Sequence, residues 1–174
     1  KMHLINRTRG LTLIELVITL SIAAILLAIA APSFSAIIQN NRMVTQVNEL
    51  VAGLNLARSE AIKRGDNVTV CGSNDGSSCG GNWLDGWIVF SDLDNDGNVD
   101  AGETIVRVYS PSNNAAVLSF PRTHITYSSE GYTVGFDGRF LLCDDRGDPN
   151  RRGLVTFNNG RVQLATAEEL MSCS

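Results

Sequence analysis

At 174 residues, 44% apolar and 18% charged, the chain has length for one modest folded body plus an N-terminal element, and its composition excludes a disordered chain. A formal net charge of −4 argues against a general nucleic-acid binder, because neutralising phosphates takes Lys and Arg massed on one face. The four cysteines, Cys71, Cys79, Cys143 and Cys173, form no C-x-x-C pair and stand far in sequence from His3 and His124, which gives a zinc site little support.

Residues 1–10 carry Lys1, Arg7 and Arg9 and no acid, the pattern of a flank held on the cytoplasmic side of a membrane. The apolar run 11–31 follows, long enough as a helix to cross a bilayer core of about 30 Å. It holds one acid, Glu15, and a carboxylate in such a segment is costly unless partnered. Pro32 then predicts a kink or local unwinding. Beyond it, Phe34, Ile37, Ile38, Val44, Val47, Leu50, Val51, Leu54, Ala57 and Ala61 recur mostly at spacings of three and four. Gln39, Arg42, Glu49, Asn55, Glu60 and Lys63 take the other face, so the stretch reads as an amphipathic helix. It ends near Gly65, after the cationic turn Lys63–Arg64. A nearly continuous helix over 11–64 would be roughly 80 Å long.

After Gly65 the helical period disappears. Short runs rich in Val, Ile, Thr and aromatic residues recur between turn residues, at 67–71, 86–90, 104–109, 116–120, 125–128, 133–136, 140–143, 154–157 and 161–164. Asp137-Gly138 and Asn159-Gly160 stand between consecutive runs and signal hairpins. The expected class is α+β: a long N-terminal helix packed on an antiparallel β-sheet body. Behind an export segment, four cysteines imply two disulfides in an oxidising compartment. Three pairings are open, of which the most local joins Cys71 to Cys79 and leaves Cys143 for Cys173.

The sharpest local motif spans residues 92–103. Asp92, Asp94, Asp96 and Asp100 stand at positions 1, 3, 5 and 9, with Gly97 at 6, Val99 at 8 and Glu103 at 12, the pattern of a twelve-residue calcium loop. Calcium wants six to eight oxygens, which the carboxylates and the Asn98 carbonyl would largely supply. The flanks read as strands, so the loop would be a turn within a β-hairpin and not an EF-hand switch. Asp, Asn and Gly also form ordinary solvated turns. No cofactor is required by any other motif.

Enzymatic patterns are missing: His124 has no nucleophile motif near it, and the chain has no G-x-S-x-G and no P-loop. Trp83 and Trp87, flanking a Gly-rich turn, read as core and hairpin packing. Arg139, Arg146, Arg151, Arg152 and Arg161 make the C-terminal third locally basic, interrupted by Asp144, Asp145 and Asp148.

The N-terminal residues together resemble the type IV pilin superfamily. Its members carry a short basic leader that a prepilin peptidase cuts after a glycine, here Gly10, leaving Leu11 as the new N-terminus, with Glu15 in the apolar run and Pro32 just after it as further matching residues. Most relatives have Phe where this chain has Leu11. In the body, Leu56-Ala57-Arg58-Ser59-Glu60-Ala61, Gly86-Trp87-Ile88-Val89-Phe90 with the acidic turn after it, and Gly160-Arg161 resemble the FimU/FimT/GspH group of minor pilins and minor pseudopilins.

The resemblance implies a leader over 1–10, a helix over 11–64 whose part 11–31 forms the membrane anchor and filament core, and a β-rich domain over 65–174. It implies N-methylation of Leu11 and a non-enzymatic assembly subunit. The subunit would be held in the inner membrane by one pass, with a periplasmic domain, and then enter a pilus filament beside other minor pilins and the major pilin. A type II secretion pseudopilin and a DNA-binding pilin of natural transformation are the alternatives. DNA-uptake members carry Gly-Arg-x-Arg. Here the stretch is Gly160-Arg161-Val162-Gln163, which lacks the second Arg, so DNA contact would rest on Arg151, Arg152 and Arg161.

Overall fold

The structure, a computed structural model, describes residues 10, 12–110, 117–135 and 137–173. Leu11, most of the leader and Phe136 lie outside the described residues. One helix, α1, spans Leu13–Arg64, and the chain divides into two compact units, Lys1–Asn40 and Asn41–Ser174.

In the first unit, α1 is long and apolar enough to cross a membrane, and its large apolar side chains, such as Ile18, Leu20, Ile25, Leu27 and Ile29, are exposed. The helix is unbroken at Pro32, so the unwinding expected there is not present. A proline removes a single intrahelical hydrogen bond, and the apolar turns on both sides continue the helix past it.

In the second unit, α1 buries a stripe of Met43, Val47, Leu50, Leu54, Ala57 and Ala61. The alternating steps of four and three keep these residues on one face of a 3.6-residue helix. The helix stops at Gly65, whose φ of 75° suits a left-handed cap and whose N–H donates to the Ala61 carbonyl at 2.9 Å. Glu60 accepts from Lys63 at 3.2 Å and from Arg64 at 2.8 Å across the last turn.

The body is two antiparallel four-stranded sheets. The first has the order β3-β2-β1-β5, from β1 (Val68–Gly72), β2 (Trp87–Ser91), β3 (Ile105–Tyr109) and β5 (His124–Tyr127). The second has the order β4-β6-β7-β8, from β4 (Val117–Ser119), β6 (Gly138–Cys143), β7 (Arg152–Thr156) and β8 (Val162–Leu164). Their inward side chains, including Val68, Val70, Val89, Ile125, Tyr127, Phe140 and Leu154, form one core with Leu50, Leu54, Ala57 and Ala61 of α1. Trp83 and Trp87 belong to that core: Trp83 meets Phe140 edge-on at 5.0 Å, and Trp87 stacks on Tyr109 at 5.1 Å. Gly53 leaves room for this stack, since a Cβ there would stand 3.0 Å from Trp87 Nε1.

Asn159-Gly160 turns β7 into β8 as expected, but the described part of the run 133–136, residues 133–135, is not a strand. Thr133 makes only an isolated bridge to Tyr127. The Thr133 amide donates instead to Asn158 O at 3.1 Å and the Val134 amide to Thr126 O at 2.9 Å, and Gly135 turns the chain with φ 74°. Asp137-Gly138 therefore leads into β6 and closes no hairpin.

Arg58 joins three elements. From α1 its Nε donates to Gly131 O at 3.0 Å, in the turn after β5, and its Nη2 donates to Asn159 O at 3.1 Å, in the β7–β8 turn. The two turns touch, because a Cβ at Gly160 would lie only 1.9 Å from Gly131 O. Two disulfides, Cys71–Cys79 and Cys143–Cys173, complete the body in the most local of the three pairings open from the sequence. The second secures a C-terminal segment whose Leu170 packs with Leu141 and Cys143, and whose Ser172 hydroxyl and Cys173 amide both donate to Asp148.

Gly160→Ala places a methyl against a backbone carbonyl at φ 76°, whereas Gly147→Ala, at φ 73° with open space around it, meets only the backbone cost. Chemical denaturation should show a loss of about 2–3 kcal/mol for Gly160→Ala and about 1 kcal/mol for Gly147→Ala. Equal losses would show that the two turns do not need their close contact.

Candidate functional site

Two regions carry chemistry. The first is the start of α1. Thr12 stands at the helix entrance, where its Oγ1 accepts from the Glu15 N–H at 3.3 Å and its carbonyl accepts from Leu16 N at 3.1 Å. This is one half of a capping box, Thr-x-x-Glu. Glu15 thus sits in the first turn of the helix, exposed, where the helix dipole favours a negative charge. Gly10 is exposed as well.

The second region is the loop 92–103, which joins β2 to β3. Its base is closed by Ser91 N to Thr104 O at 3.0 Å and by Thr104 N to Ser91 Oγ at 2.8 Å. Both flanks are strands, so this is the hairpin turn expected from the sequence. One carboxylate oxygen from each of Asp92, Asp94 and Asp96 lies within 4.8 Å of the other two. Asp94 and Asp96 are exposed, while Asp92 is fully buried.

The hydrogen-bond donors to Asp92 are all neutral. Its Oδ1 accepts from Asp96 N at 3.1 Å, and its Oδ2 accepts from Gly97 N at 3.2 Å and from the Thr69 hydroxyl at 2.6 Å. Thr69 Oγ1 also lies 2.6 Å from Thr126 Oγ1. A hydroxyl has one proton, so with Thr69 donating to Asp92, Thr126 donates to Thr69. A buried donor chain therefore runs from β5 through β1 to the first acid of the loop. Among the described residues, no Lys, Arg or His forms an ion pair with Asp92.

Of the other three expected ligands, Glu103 and Asn98 bond to the loop itself through their side chains. Glu103 closes the loop, with Oε1 accepting from Leu93 N at 2.7 Å and Oε2 from Asp100 N at 2.9 Å. Asn98 donates both its backbone N–H, at 2.7 Å, and its side-chain amide, at 3.0 Å, to Asp96. Asp100 is exposed, and its carbonyl accepts from Glu103 N. The side-chain amide and backbone N–H of Asn98 hold the Asp96 carboxyl below the usual aspartate range; a slight loss of solvation opposes this, and nearby His124 adds to it. The His124 ring lies over Gly97, where a Cβ would come within 2.7 Å of it, so this histidine is a packing residue at the start of β5.

The arginines do not form one patch. Arg151 donates to Asp148 O at 3.1 Å and to Ala167 O at 2.7 Å. Arg161 donates to Gln163 Oε1 at 3.1 Å and lies over the Phe157 ring at 5.0 Å. Arg152 is exposed at the start of β7, whereas Arg161 lies past its other end, beside the Thr156–Val162 pair. Neither Thr69 nor Thr126 stood out in the sequence, because threonine is ordinary in strands and the pairing that stacks them beneath Asp92 is not local.

A model of the type II transport protein GspH family matches residues 46–164, and a model of the prokaryotic N-terminal methylation motif matches residues 5–31. No curated protein matches the chain. Similar solved structures include the type IV minor pilin FimU of Pseudomonas aeruginosa, at 22% identity and TM-score 0.63, covering 78% of this chain and 98% of that one. The minor pseudopilin EpsH from the type 2 secretion system of Vibrio cholerae is similar at 14% identity and TM-score 0.51, covering 72% of this chain and 97% of that one. These likenesses establish a shared fold.

The depressed Asp96 value carries a pH consequence. A carboxyl whose folded pKa lies below its unfolded value stabilises the fold above the unfolded value, and that contribution is lost as pH falls through the folded one. Followed by carbon NMR in the presence of a chelator, Asp96 should titrate below an aspartate in an unfolded peptide, and Asn98→Ala should move the midpoint back up. An unchanged midpoint in Asn98→Ala would remove the hydrogen bonds as the cause.

Proposed function

Since the chain belongs to the GspH family of minor pilins and pseudopilins and carries the N-terminal methylation motif of proteins processed by prepilin peptidase, we propose that it is a minor pilin, an assembly subunit at the tip or in the initiation complex of a type IV pilus. The observation that carries this reading is the N-terminal arrangement: Gly10 before the cut, an exposed apolar helix, and one acid in the first helical turn. In the inner membrane the helix anchors the subunit, with the body on the periplasmic side. In the filament it packs among the helices of other minor pilins and the major pilin. A lone carboxylate between apolar helices needs a partner of opposite charge, which the free amine of Leu11 on a neighbouring subunit supplies; that pairing sets the axial register.

Glu15→Val removes this partner and leaves the segment apolar. Membrane fractionation of the variant should be unchanged, whereas its co-purification with the other minor pilins should fall sharply. Normal co-purification would overturn the assigned role of Glu15.

The second reading is a minor pseudopilin of type II secretion, favoured by the description of the matching family. A deletion strain separates the two: loss of twitching with normal enzyme secretion supports the pilus, and the reverse supports the secretion system. Loss of DNA uptake alone would support a DNA receptor instead.

We also propose that the loop 92–103 binds calcium as a weak structural ligand. Two features support it: the complete twelve-residue spacing, and three converging carboxylates of which the buried one has only neutral donors around it. A divalent cation would supply the charge that Asp92 lacks. The residues that would hold it are Asp92, Asp94 and Asp96 together with the Asn98 carbonyl, Asp100 and Glu103. At an affinity of about 10⁻⁴–10⁻³ M, typical of extracellular modules, about 1 mM calcium would stabilise the body by about 0.4–1.4 kcal/mol. The melting temperature should rise on adding millimolar calcium, with heat of binding in calorimetry, and Asp94→Asn should blunt both. Absence of heat and an unchanged melting temperature in the native protein would end the proposal.

A further inference from the structure

We draw no further inference here: the strongest candidate, the open groove of about 270 Å³ that Val44, Val47 and Asn48 of α1 form with Arg152, Leu164 and Leu170, carries nothing because nothing in the structure shows what covers it.

Discussion

The body depends on the guanidinium of Arg58. A helix face and two sheets share one core, but hydrophobic burial is non-directional and does not by itself fix where the edges of those layers meet. Arg58 supplies the direction. Its planar fork reaches from α1 to carbonyls in two turns, one following the first sheet and one inside the second. The turns approach that fork because Gly160 presents no Cβ to the Gly131 carbonyl. Ala57 and Ala61 of the same helix, both fully buried, belong to the core that α1 shares with the sheets. The segment Leu56-Ala57-Arg58-Ser59-Glu60-Ala61 and the pair Gly160-Arg161, a hundred residues apart in the chain, are thus parts of one junction.

The acidic loop depends on the same assembly from the other direction. Thr69 lies in β1 and Thr126 in β5, and their hydroxyls meet beneath Asp92 only because β1 pairs with β2 on one side and β5 on the other, with Thr69 opposite Phe90 and Thr126. The loop is accordingly seated on the first sheet by a chain of buried hydrogen bonds, and β2 and β3 clamp its two ends. Satisfied donors reduce the cost of burying a carboxylate without supplying an opposite charge. This is the physical difference between residues 92–103 and an ordinary solvated turn.

Much of this was legible in the sequence where the controlling physics is local. The buried stripe of α1 follows from helical period, the stop at Gly65 from its left-handed backbone, the β7–β8 turn from Asn159-Gly160, and the loop 92–103 from its spacing. The run at 133–135 misled because its composition suits a strand, while the amides of Thr133 and Val134 are taken by Asn158 and Thr126, a choice made by tertiary neighbours. At Pro32 the local rule predicted a kink or unwinding, and the helix continues without unwinding. The roles of Arg58, Thr69 and Thr126 were hidden for a related reason: each depends on partners dozens of residues away. For the arginines, the sequence placed Arg151, Arg152 and Arg161 in one basic region, whereas the fold binds Arg151 and Arg161 into separate local contacts and leaves Arg152 exposed at the far end of β7.

The family and the N-terminal methylation motif indicate processing by prepilin peptidase, and the role proposed for the apolar half of α1, a polymerisation element with Glu15 as its one charged side chain, rests on that processing. That role requires a free, correctly placed N-terminus on every subunit. The most direct measurement is the intact mass and N-terminal sequence of the protein recovered from membranes of the producing cell. A chain beginning at Leu11 and carrying one methyl group on its amine is the predicted result. A chain that keeps the basic residues Arg7 and Arg9, or one cut elsewhere than after Gly10, would contradict the account.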